Sequence, residues 1–216
     1  MYEEENNENA KNTERFPESS KKQNVKKVKE TQKSLSVFGS LKGLCFAGIL
    51  TAMSIILGKF LQIPNPFQEI IRISFENLPI MLSAFCLGPI AAAAVGAVAD
   101  LIGCLLYGYS INPIITLGAA SVGLVSGFIS EYIVKKPLVL KIITCEAAAH
   151  TVGSVLIKSA GLAAWYLAKY NIGYWELAAW RLLTYTLVGI AESVILILLL
   201  KNKEFQKQIE RMRGKK

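Results

Sequence analysis

The sequence predicts an all-α, polytopic membrane protein with six transmembrane helices and both termini on the cytoplasmic side. Three observations carry this. The chain of 216 residues is 52% hydrophobic, with a mean hydropathy of +0.38, and its polar residues are segregated to the two ends. Residues 41–200 are almost continuously apolar, and a spanning helix needs about 20 residues, so five to seven spans are possible. Basic residues fix the parity. Nine Lys/Arg precede Gly43, three more are Lys135, Lys136 and Lys141, and seven follow Leu200, whereas the opposite side has Lys59, Arg72 and Lys169. Cytoplasmic flanks carry the excess of Lys and Arg, so both ends lie inside and the number of spans is even.

Residues 1–40 are rich in Glu, Asn, Lys and Ser, with no apolar run long enough for a signal segment or a core, and read as a disordered cytoplasmic tail. The membrane domain is 41–200, and 201–216 form a basic cytoplasmic tail. The first span, about 43–61, ends at Gln62-Ile-Pro-Asn-Pro-Phe67, where two prolines impose a loop. Residues 78–107 as one helix would be about 45 Å long, too long for a hydrocarbon core of roughly 30 Å. Gly88-Pro89 supplies the break. The second span therefore begins near Arg72 and carries Glu76, Asn77 and Pro79 in its outer turns, which lipid penalises unless they face protein or water. The third span is 89–107, the fourth 113–134, the fifth 138–168 and the sixth 175–200.

Lipid gives apolar side chains no reason to leave it, so helices associate through small residues. Gly88, Ala92, Gly96 and Asp100 on span three, and Ala119, Gly123 and Gly127 on span four, form narrow smooth faces expected to pack internally. Span one has two small registers, Gly43-Ala47-Thr51 and Gly48-Ala52, one of which is a candidate docking face for another membrane subunit. The net charge of +8 is explained by topology, and no nucleic-acid partner is expected. Cys45, Cys86, Cys104 and Cys145 lack the spacing of a metal or redox site and read as packing residues.

Ionisable residues inside a membrane are expensive, which makes their depth informative. Arg72, Glu76, Asn77, Lys158, Glu176, Trp180, Arg181 and Tyr185 fall at outer depth and outline an outward-facing polar pocket. Glu146, His150, Ser154 and Lys158 recur at four-residue spacing along span five and face the bundle. Arg72, Lys158 and Arg181 suit a ligand with one or two carboxylates, and Trp165, Trp175, Trp180 and Tyr185 suit a flat ring. The bland alternatives are snorkelling cations and interfacial tryptophans. Asp100, at mid-membrane, is expected to bond a neighbouring helix, and His150 to be satisfied within the bundle; neither a metal nor a cofactor is expected. No phosphate loop, H-E-x-x-H or G-x-S-x-G motif occurs, so the chain is read as a non-enzyme.

Arg72-Ile-Ser-Phe-Glu-Asn-Leu-Pro79, Leu87-Gly-Pro-Ile-Ala91, Gly96-Ala-Val-Ala-Asp-Leu-Ile-Gly103, Asn112-Pro-Ile-Ile-Thr-Leu117 and Gly123-Leu-Val-Ser-Gly127 together resemble the substrate-binding S components of energy-coupling factor (ECF) vitamin transporters, most closely the folate branch. The resemblance implies a vitamin-capturing subunit that works with a transmembrane coupling subunit and two ATPase subunits. It maps the coupling face onto Ala47, Gly48, Thr51 and Ala52. For folate it implies Arg72, Lys158 and Arg181 at the anionic end or nearby polar contacts, Trp180 and Tyr185 stacking on the ring, and Asn77 as a further substrate-binding residue. The alternatives are an S component for pantothenate or a deazapurine, or a membrane-embedded enzyme built on Glu146, His150 and Asp100.

Overall fold

Hydrophobic length and the Gly88-Pro89 break decide the architecture. The computed structural model describes residues 40–59, 63–64, 72–134 and 137–212. The segments read as a disordered N-terminal tail and as the centre of the first outer loop lie outside the described residues. In order, the elements are α1 (Leu41–Lys59), β1 (Ile63–Pro64), β2 (Arg72–Ile73), α2 (Asn77–Leu87), α3 (Pro89–Tyr107) and α4 (Pro113–Phe128). Helix α4 continues into a π-turn, Ile129–Ile133. Helix α5 is Leu138–Ala149, wound on through a π-segment His150–Ile157 into Lys158–Tyr170; α6 is Tyr174–Lys201 and α7 is Lys203–Met212.

Five of the helices are long and apolar enough to cross a membrane, and α2 is a shorter apolar helix. With 11 residues it spans about 16 Å, half a hydrocarbon core. Its start differs from the sequence expectation. Helix α2 begins at Asn77, because Arg72–Ile73 pairs antiparallel with Ile63–Pro64 in a two-residue ladder. Its end agrees. Gly88 has φ 95°, a left-handed conformation that only glycine adopts cheaply, and Pro89 opens α3 at once.

Leu44, Ile49, Leu105, Leu117, Leu187 and Leu198 are all more than half exposed, whereas Asn77, Ser83, Ser126, Ser154 and Glu192 are fully buried. A water-soluble chain does not expose so much contiguous apolar surface, and a membrane protein does. Close packing comes from the small-residue faces. A Cβ at Gly96 would overlap the Ala119 carbonyl, one at Gly123 the Ala92 carbonyl, and one at Gly127 Pro89. Helices α3 and α4 therefore touch backbone to backbone, with the α4 register expected from the sequence. Asp100 and Thr116 close the same seam, Thr116 Oγ1 donating to Asp100 Oδ2 at 2.6 Å. Asp100 thus makes the interhelical bond expected of it.

The small residues of α1 divide. Ala47 and Thr51 are buried, Thr51 donating back to the Ala47 carbonyl at 2.8 Å, while Gly48 and Ala52 are exposed. Half of the four-residue coupling face expected from the resemblance is thus spent on packing inside the chain. The four cysteines form no disulfide among the described residues, and Cys86 and Cys145 are buried. Phe205 and Ile209 of α7 pack against the main core, so residues 203–212 of the basic tail form a docked helix.

A side chain at the α3–α4 seam forces backbones apart, and overpacking of this kind costs about 1–3 kcal/mol or more. Gly123→Val is expected to lower the melting temperature in detergent by several degrees, measured by tryptophan fluorescence. An unchanged melting temperature would show that the seam is looser than described.

Candidate functional site

The polar residues of α2, α5 and α6 converge because the spacing of α5 is adjusted locally. Side chains four apart advance about 40° per step around an α-helix of 3.6 residues per turn, so three steps carry Lys158 about 120° from Glu146. The π-segment His150–Ile157 has more residues per turn and reverses that drift. Glu146, His150, Ser154 and Lys158 accordingly all remain buried. The groups are positioned by close contact with α4 as well: at Gly118 any Cβ would run into the Lys158 side chain, and at Gly153 into Val122.

Lys158 reaches the start of α2, where its Nζ lies 2.6 Å from Glu76 Oε1. The lysine side chain is only 5% exposed and the glutamate 32% exposed, so the pair has a dry end and a wet end. Ser54 of α1 donates to the Glu76 carbonyl at 2.6 Å and holds the turn that presents Glu76. One residue on, Asn77 donates from Nδ2 to Ser154 Oγ at 3.3 Å, while its buried Oδ1 accepts nothing among the described residues. Arg181 of α6 donates through Nε to the Ser154 carbonyl at 2.9 Å and through its Nη2 to the Tyr185 hydroxyl at 3.3 Å, with its guanidinium 5.2 Å from the Tyr185 ring centre. Ser154 is the point at which α2, α5 and α6 meet.

Below this layer His150 sits among acids. Its Nε2 is 2.8 Å from Glu192 Oε2 and 3.0 Å from Glu146 Oε2, its Nδ1 is 3.4 Å from Ser154 Oγ, and its ring stacks on Tyr185 with centroids 5.0 Å apart. Glu192 does not enter the sequence reading at all. Its signal was available as a lone acid within an otherwise apolar stretch of span six, but depth alone does not say which helix it meets.

Of the residues expected from the sequence, Asn77, Lys158, Arg181 and Tyr185 are brought together and buried. Trp180 is half-buried on the flank of α6, its carbonyl accepting from Thr184 at 3.0 Å. Arg72 is placed by its backbone in β2, and its side chain, like that of Trp165, lies outside the described residues. Trp175 is 77% exposed, which suits an interfacial anchor. Two spaces adjoin the network. One of about 50 Å³, room for water, is lined by Ser54, Glu76, Asp100 and Lys158 among others. The other, about 420 Å³, is a mainly apolar cleft between α5 and α6 whose polar floor includes Glu146, His150 and Tyr185.

A six-helix apolar bundle with a buried, cation-bearing polar cluster across α2, α5 and α6 defines the class: a multi-pass helical membrane protein with a polar site in its interior. Its family follows from comparison. Residues 38–204 match the family model described as the ECF-type riboflavin transporter, S component. The chain belongs to this S-component family, and it is a multi-pass protein of the prokaryotic cell membrane. A folate transporter, FolT, of Clostridium novyi (strain NT) is 31% identical over 64 residues, 30% of this chain. That match spans about a third, 36%, of the curated relative's length. A solved structure described as FolT bound with folic acid superposes with a TM-score of 0.58 at 22% identity, covering 74% of this chain and 93% of that one, and so shares the fold.

Removing the shared hydroxyl tests the hub. Ser154→Ala removes the hydroxyl that Asn77 Nδ2 and His150 Nδ1 each approach, worth about 1 kcal/mol per bond. A clear fall in melting temperature is expected, and no change would show that the three helices meet independently of Ser154.

Proposed function

We propose that this chain is the folate-binding subunit of an ECF-type importer, capturing the vitamin from the outer face and working with a coupling subunit and two ATPase subunits. The observation that carries the substrate is the charge of the buried cluster. Lys158 and Arg181 bring two positive charges to one polar layer, and Glu76 is the carboxylate paired with Lys158 there. A ligand with carboxylates of its own suits that surplus, since charge-assisted bonds are about twice as strong as neutral ones. The open Oδ1 of Asn77 suits the ring-edge N–H groups of a pterin, and Tyr185 and Trp180 offer faces for the flat ring. Arg72, carried on the ladder at the entrance to α2, remains a candidate for the anionic end. The names of the two folate relatives support the same substrate. Riboflavin is the second reading, favoured by the description of the matching family. It is also flat, but it lacks carboxylates.

Neutralising one charge of the Lys158–Glu76 pair at a time separates the two vitamins. Lys158→Met is expected to weaken folate binding tenfold or more by calorimetry, while Glu76→Gln, which removes the competing carboxylate, preserves or strengthens it. Tight riboflavin binding with no measurable folate binding would overturn the proposal.

Gly48 and Ala52 are the outward-facing small pair on α1 and are proposed as the surface that meets the coupling subunit. Ala47 and Thr51 support it from the inner side. Ala52→Trp is expected to leave vitamin binding intact and to abolish uptake and copurification with the coupling subunit. Normal copurification would refute this.

A further inference from the structure

Glu146, His150 and Glu192 pose a charge problem that the vitamin reading does not use. Their side chains are 96% buried or more, with the exception of the His150 ring at 6% exposed, and they lie at mid-bundle on two facing helices. One Nε2 position faces two carboxylates. A single N–H satisfies one of them, and the bond to Glu192 takes it. Both oxygens of Glu146 are then buried without a hydrogen-bond donor. The buried cations of α5 and α6 are engaged elsewhere, Lys158 with Glu76 and Arg181 with Ser154 and Tyr185. Two carboxylates with an imidazolium keep a net negative charge; two carboxylates with a neutral imidazole and a divalent cation are neutral.

We infer that Glu146, His150 and Glu192 form a binding site for a divalent transition-metal cation that clamps α5 to α6. The three ligand atoms all lie within 4.8 Å of one another. Around an octahedral cation with bonds of about 2.1 Å, adjacent ligands are about 3.0 Å apart. The observed separations of His150 Nε2 from the two carboxylates, 3.0 and 2.8 Å, match that edge. The donor set, two hard oxygens and one imidazole, suits Mn2+ or Zn2+. Ser154 Oγ beside Nδ1 supplies the second hydrogen bond that orients a ligating histidine. The 420 Å³ cleft borders Glu146 and His150, leaving space for water at the remaining coordination positions.

The chain contains a single histidine, which makes the test specific. The full chain, with any affinity tag removed, is stripped with a chelator in lipid nanodiscs and titrated with Mn2+, followed by calorimetry and electron paramagnetic resonance. One Mn2+ per chain is expected, with nitrogen hyperfine coupling from one imidazole, and Zn2+ displaces it. Glu192→Gln and Glu146→Gln each weaken binding at least tenfold and remove the rise in melting temperature that Mn2+ gives the unaltered chain; Glu204→Gln, on exposed α7, does neither. No stoichiometric uptake, or bound Mn2+ without imidazole coupling, overturns the inference, and so does full binding in both variants. Because the coupling is read on the unaltered chain, the test decides even if a variant fails to fold. It is also independent of which vitamin binds.

Discussion

A polar group placed in hydrocarbon must find its partner inside the protein, because no water is there to supply one. That requirement organises this bundle. Ser154 meets it for three helices at once, through its hydroxyl toward Asn77 and His150 and its carbonyl toward Arg181. Lys158 and Glu76 meet it for each other across α5 and α2, and Asp100 and Thr116 across α3 and α4. The helices are held where these pairs close, and the small-residue seams bring the backbones near enough for short side chains to reach.

The short α2 has a purpose within this arrangement. A full-length second span would carry Glu76 and Asn77 into lipid. By starting at Asn77 and stopping at Gly88, the helix keeps those polar groups at its N-terminus, against α5, and leaves the preceding chain free to form the β1–β2 ladder. The polar groups of α2 are thereby confined to one layer. That layer is the one proposed to receive the vitamin.

Much of the fold was legible in the sequence. The number of apolar helices, the Gly88-Pro89 break and the α3–α4 seam follow from length, glycine placement and periodicity, all local properties. The ladder at Arg72 was not legible, since a two-residue pairing depends on where a distant segment arrives. The division of α1 into an inward Ala47–Thr51 register and an outward Gly48–Ala52 register was not legible either, because both are equally small. At the site, depth identified Lys158, Arg181 and Tyr185 as neighbours. It gave no sign that Lys158 chooses Glu76, or that Arg181 turns to a backbone carbonyl.

By itself the sequence determined that this chain lives in a membrane, crosses it with helices broken at known points, and carries rare ionisable residues at defined depths. Hydrophobic length and backbone geometry act within one segment, so they can be read from one segment. Only the tertiary structure decided which of those ionisable residues meet. Glu192 joins Glu146 and His150 from a helix more than forty residues away, and the π-wound stretch of α5 turns Ser154 and Lys158 back to the same face. Such meetings depend on the rotation of each helix about its own axis, which packing sets and composition does not.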